Sequence, residues 1–244
     1  MKKILLGICM ILIYSMPFAQ SFEGRLVYKV EFDIQTEKIG NIEIKKEQVI
    51  EKMKKDDDYF DSLTVTIKNG NYIKEDNSDN RKRIVYKADL NKIYTFQKDF
   101  DHVVITDAKN YHGMNLNLKE PKIEKIDSLK VINGNNCNLI KLTWGKLGEE
   151  YYFYNSEIAK LDSGNFKNHN YEYFNAIVDI SKSYPLEIVK KVSDFISIRM
   201  TLLAIEEVKI DDSLFELPKF EKAEKEYAEM MLKITGSEVM KIKD

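Results

Sequence analysis

The first readable pattern is an alternation. Phe22, Leu26, Tyr28, Val30 and Phe32 share one parity, while Glu23, Arg25, Lys29 and Glu31 share the other. Period two with one apolar side predicts a strand with one face on a core and one face in water. Leu63, Val65 and Ile67 then alternate with Thr64, Thr66 and Lys68, Asn69-Gly70 follows, and Tyr72-Ile73 resumes the run. Asn-Gly between two such runs predicts a tight hairpin. A second hairpin is expected from residues 83–87 and 92–97, turning at Ala88-Asp89-Leu90-Asn91, and residues 102–106 form a further strand. Residues 107–120 are polar and read as loop, residues 122–129 alternate weakly, and Asn133-Gly134-Asn135-Asn136 is a turn. Ile140, Leu142 and Trp144 alternate with Lys141 and Thr143, and residues 149–154 are the expected partner strand. After a loop over 162–170, two long strands close the domain at 184–191 and 195–208. The second carries Ile196, Ile198, Met200, Leu202 and Ala204 on one face.

Two segments show helical spacing instead. Residues 42–55 place Val49, Ile50 and Met53 among Lys and Glu. The tail places Phe220, Ala223, Tyr227, Met230, Met231 and Ile234 on one stripe, with Gly236 as a stop. The sum is a mainly β (α+β) chain of about ten strands: a curved antiparallel sheet or half-open barrel wrapping one or two helices.

The N-terminus adds a destination. Met1-Lys2-Lys3, an apolar run over 4–16 and Pro17-Phe18-Ala19-Gln20 make a cleaved signal peptide over 1–20. The run is shorter than the roughly 20 residues of a membrane span. The expected domains are therefore the signal at 1–20, an antiparallel β domain at 21–218, and a helix and tail at 219–244. Cys9 follows the large Ile8, so a lipid attachment there is not expected. Signal removal leaves Cys137 alone, without a partner for an internal disulfide, and a small buried hydrophobe is its expected role. The mature protein is expected to be soluble, in the periplasm or secreted, with no membrane span.

Charge and motifs narrow the chemistry. The net charge is -2, and -4 once Lys2 and Lys3 are gone. Acids flank the short basic runs Lys45-Lys46 and Arg81-Lys82-Arg83, so there is no basic stripe for nucleic acid. The sequence holds no GxSxG, GxGxxG, Walker A or HExxH motif. The acidic run 56–61 lacks the Gly and distal Glu of a calcium loop. His102, His112 and His169 stand in polar context without a second ligand nearby and read as surface residues. No catalytic residue, metal ligand or cofactor is assigned.

What the strands can supply is an apolar interior. Leu26, Tyr28, Val65, Ile67, Leu142, Trp144, Met200 and Leu202 point inward by parity. They would line a cavity for an apolar ligand or form an ordinary filled core. For Trp144 the core is favoured, because strand-face aromatics usually pack.

Four stretches occur in order: Phe22-Glu23-Gly24-Arg25-Leu26, then Val131-Ile132-Asn133-Gly134-Asn135-Asn136-Cys137, then Tyr184-Pro185-Leu186-Glu187, then Asp211-Asp212-Ser213-Leu214-Phe215-Glu216-Leu217-Pro218. In these the chain resembles exported Bacteroidetes proteins with a LolA/LolB-like fold, including the GLPGLI family. The GLPGLI signature itself is absent, with Tyr184-Pro185-Leu186 in its place. The resemblance implies a curved antiparallel sheet around helices with an apolar hollow, and it supplies no catalytic residue.

The functional expectation is an exported, non-enzymatic, periplasmic or envelope-associated protein that binds a hydrophobic ligand or an envelope protein. One alternative is a LolA-like carrier of lipid or lipoprotein acyl chains. Another is a secreted enzyme whose activity lies in the loops at 107–120 and 162–170. The C-terminal stripe is expected to dock on its own domain.

Overall fold

Apolar alternation is realised most fully along residues 24–34 and 138–143 of one large sheet. The computed structural model describes residues 21–35, 37–39, 42–56, 59–97, 102–111, 120–128, 130–145, 148–191, 196–219 and 222–224. In chain order the elements are β1 (Gly24–Ile34), β2 (Glu37–Ile39), β3 (Ile42–Ile44), α1 (Lys46–Lys55), β4 (Ser62–Lys68), β5 (Asn71–Asp76), β6 (Arg83–Lys87), β7 (Lys92–Phe96) and β8 (His102–Asp107). Then follow β9 (Lys122–Ile126), β10 (Val131–Ile132), β11 (Asn135–Asn136), β12 (Asn138–Thr143), β13 (Glu149–Tyr154), α2 (Phe174–Ser181), β14 (Glu187–Lys191), β15 (Ile196–Glu206) and β16 (Lys222–Glu224). Twelve strands form one sheet in the order β16-β8-β7-β6-β5-β4-β1-β15-β14-β13-β12-β9. All neighbours are antiparallel except β16, which runs parallel to β8. The two ends do not meet, so the sheet is curved and open.

Both hairpins form as the turn chemistry requires. Asn69 and Gly70 adopt φ of 50° and 79° between β4 and β5. This is the left-handed pair that Asn-Gly tolerates and that matches strand twist. Asn91, at φ 49°, closes the turn between β6 and β7.

One face of the sheet carries both helices. Val30, Phe32 and Ile34 of β1 pack with Val49, Ile50 and Met53 of α1, and with Tyr59 and Phe60 after it. Further along the same face, Leu26 and Tyr28 of β1 join Val65, Ile67, Phe166, Phe174, Val178 and Tyr184 in the largest core cluster. A third cluster holds Tyr173 and Ile177 against Ile140, Leu142, Tyr152 and Tyr154 of β12 and β13. Leu63 and Met200 touch both the α1 cluster and the largest one.

The other face is covered at one end by the chain after β15. Ile210 and Phe215 pack on Ile73, Val85, Tyr94 and Val103. Polar contacts pin this strap. Lys68 Nζ donates to the Ile210 carbonyl at 2.6 Å and pairs with Asp212 at 2.8 Å. Glu23 accepts from Ile210 N–H at 2.7 Å, and Arg83 donates to the Leu214 carbonyl at 2.6 Å. Burial of both faces explains why Val65, Thr66, Ile67 and Lys68 are all buried in succession.

Several expectations change. Residues 42–44 form a strand paired with β2, and the helix starts at Lys46. The interior set expected along β15 breaks after Leu202, because the β1–β15 register shifts between Val27 and Tyr28. Leu203 is the extra residue of this bulge and is 61% exposed. In the expected C-terminal helix, Lys222–Glu224 is a strand that adds to the β8 edge, where unpaired backbone groups invite an additional strand. Residues 225–244 and the signal segment 1–20 lie outside the described residues, as does His112. The α2 helix has no counterpart among the sequence expectations. Its eight residues are too short to show a clear period.

Candidate functional site

Between the α1 cluster and the α2 clusters the helices leave a gap over Leu63 and Met200. The gap is a hollow of about 260 Å³. Its apolar wall comes from Phe60, Leu63, Ile84, Ile188, Ile198 and Met200, and from Phe174 and Ile177 of α2. Opposite sides of the curved sheet meet here. Lys74 on β5 and Lys190 on β14 are four strand spacings apart in sheet order, about 19 Å if the sheet were flat. Both line this one hollow.

A second chamber of about 290 Å³ adjoins the first and shares Lys74, Lys82, Ile84 and Glu172 with it. Its remaining lining includes Tyr72, Thr95, Thr106 and Tyr171. The charged groups therefore stand where an apolar chamber opens into a more polar one.

Glu172 is held there by an unusual backbone. Glu172 and Tyr173 both adopt left-handed conformations, at φ 52° and 57°. Such residues cost about 1–3 kcal/mol each and persist where the surroundings fix them. The fixing contacts are visible: Glu172 N–H donates to the Tyr111 carbonyl at 3.0 Å, and Tyr173 N–H to the Asn170 carbonyl at 2.8 Å. Asn170 and Tyr171 N–H both donate to the Ala108 carbonyl. The reward is an ion pair, Lys190 to Glu172 at 3.2 Å, with Glu150 at 3.7 Å on the same ammonium. Lys190 beside it pulls the Glu172 pKa down to about 2. Burial works against the charge on Lys190, but Glu172, Tyr152 and Glu150 overcome it and raise its pKa well above the usual value.

Lys74 is treated differently. Its ammonium lies over the Tyr72 ring at 5.1 Å and near the Phe174 ring at 6.0 Å. Among the described residues it has no ion pair or hydrogen bond. Burial pushes its pKa down, against the pull of Glu172. Asp76, also in the lining, is engaged elsewhere: its Oδ1 accepts from Ser78 N–H, Ser78 hydroxyl and Lys82 N–H.

Of the residues expected to line a cavity, Met200 does so. Leu26, Tyr28, Val65, Ile67 and Leu202 are in the largest core cluster, and Leu142 is in the cluster beside β12. Their parity does point inward, but Phe166, Phe174, Val178 and Tyr184 fill the space above the first group. Tyr28 donates its hydroxyl to the Pro185 carbonyl at 2.6 Å. Trp144 packs edge-on against Tyr173 at 6.0 Å. The lining residues Lys74, Glu172 and Lys190 read as polar strand or loop positions in sequence, and no local signal marks them.

His169 overturns its surface reading. It is 1% exposed, among Tyr72, Tyr86, Phe166 and Phe174. Its Nε2 bonds the Tyr72 hydroxyl at 2.9 Å, and burial pushes its pKa down to about 3. Cys137 is buried, as its type suggests.

Among the described residues, no group of three or more His, Cys, Asp and Glu is placed to hold a metal ion. No helix among them is long and apolar enough to cross a membrane. No protein-family model matches the chain, and no curated protein matches it. Among solved structures the chain is similar to PNGF-II in its C2 crystal form, with a TM-score of 0.49 and 11% identity over 86% of this chain and 32% of that one. The P21 form of PNGF-II gives 0.48 and 9% over 87% and 33%. The chain thus spans about a third of the length of the PNGF-II chains it matches.

Proposed function

We propose that this is an exported, non-enzymatic protein of the periplasm or envelope that binds one apolar ligand in the hollow beside α2. The observation that carries the reading is the hollow itself: side chains from six strands and α2 converge on one space, most of them apolar, with a few charged groups among them. Ligand sites have that composition, mostly apolar lining with a small number of placed polar groups. The signal-peptide pattern of residues 1–20 supports export.

The volume bears on ligand size. Sites for drug-sized molecules run from about 300 to 1,000 Å³, and the apolar chamber is about 260 Å³. One short chain suits it better than the several chains of a lipoprotein anchor. Each methylene buried there contributes about 0.8 kcal/mol.

Titration with an apolar fluorescent probe tests the reading. Saturable binding at one site per chain is expected, and Met200→Trp, which fills the hollow, should abolish it while the fold persists by circular dichroism. Undiminished binding in that variant would place the probe elsewhere and remove the reading's basis.

A further inference from the structure

We infer that the ligand is an amphipathic anion, an alkyl carboxylate whose tail fills the apolar chamber and whose head group pairs with Lys74. The inference rests on the hollow being a ligand site and adds the chemistry of the head group.

Three ammonium groups and two carboxylates line the apolar chamber: Lys74, Lys82 and Lys190 against Asp76 and Glu172. Both carboxylates are committed. Asp76 holds the turn before β6 through three donors. Glu172 is paired with Lys190, whose ammonium also lies 3.7 Å from Glu150. Lys74 alone among these lysines is offered to the hollow with only ring faces beneath it. An ammonium has three donors and no acceptor, so the complementary ligand group is an acceptor, and best an anion.

Position agrees with charge. Lys74 lines both chambers, so its ammonium stands at the boundary between the apolar space and the polar one. A tail among Leu63, Ile188, Ile198 and Met200 would leave its head beside Lys74, with Thr95 and Thr106 in the next chamber as further donors. Glu172 would repel that head, but Lys190 at 3.2 Å neutralises much of its field. Cation–π contact with Tyr72 and Phe174 offsets only part of the burial of the Lys74 ammonium, since burial still depresses its pKa.

The test compares matched ligands of one chain length on the purified protein by titration calorimetry: decanoate, decanol and decylammonium. The expected result is that decanoate binds at least tenfold more tightly than decanol, with decylammonium weakest. Lys74→Met should remove the advantage of decanoate over decanol, and Lys74→Arg should keep most of it. Equal binding of decanoate and decanol overturns the anionic head while leaving an apolar site in place. Tightest binding of decylammonium overturns it in favour of Glu172 as the pairing group. Binding of none of the three overturns the site reading as well. The comparison on the unsubstituted protein decides the matter even if Lys74→Met fails to fold.

Discussion

Two buried or strained residues give the sharpest predictions at the level of single side chains. His169 is neutral in the fold because burial among four aromatic rings disfavours its charged form. The unfolded chain binds this proton near pH 6.5 and the folded chain only near pH 3. Below pH 6.5 the unfolded state therefore carries more protons, and stability falls as pH falls, by up to about 1.4 kcal/mol per pH unit. Urea unfolding between pH 7 and 4.5 should show this slope, and His169→Phe should flatten it. The Glu172 carboxylate, held to about 2 by Lys190, loses its stabilising charge only below its ordinary value of 4.5, so above that pH the slope belongs to His169 and the two windows overlap only below it. At Glu172 the left-handed backbone can be tested apart from the ion pair. Glu172→Gly and Glu172→Ala both lose the pair with Lys190, but only Gly relaxes a φ of 52°. The Gly variant should be the more stable by about 1–2 kcal/mol, and equal stabilities would show that the position is unstrained.

Among the elements, the strap after β15 makes the clearest claim. Phe215 is buried against Ile73, Val85, Tyr94 and Val103 on the face opposite the helices. Phe215→Ala should cost about 3–5 kcal/mol, read as a lowered urea midpoint; a cost near zero would mean that the strap is not part of the cooperative fold. Element by element, strands with one wet face were legible in sequence because alternation and turn chemistry are local signals. The Asn69-Gly70 hairpin and the β12–β13 pair follow from them directly. The Leu203 bulge is not local: it arises from the fit of β15 to β1, and alternation alone carries Ala204 to the wrong face. Residues 42–44 have apolar positions compatible with either period, and pairing with β2 decides for a strand. The short α2 helix, missed in sequence, is fixed by its long-range packing on Val65 and Tyr72.

For the molecule as a whole, the hollow is a product of curvature, and curvature is why it was hidden. Lys74 and Lys190 are 116 positions apart in sequence and share a space only because the sheet folds its two halves toward each other. Parity marks which side chains point inward, but it does not say which of them helices will cover. Met200 faces open space while Leu26, on the same side of the sheet, is sealed under the α2 region. The uncovered part of that interior is the proposed ligand site. Native mass spectrometry of the protein purified without denaturation puts this to the test. One small apolar molecule per chain is expected, released on unfolding, or taken up when alkyl carboxylates are added to bare protein. A bare mass that stays unchanged across a series of added apolar ligands would contradict it.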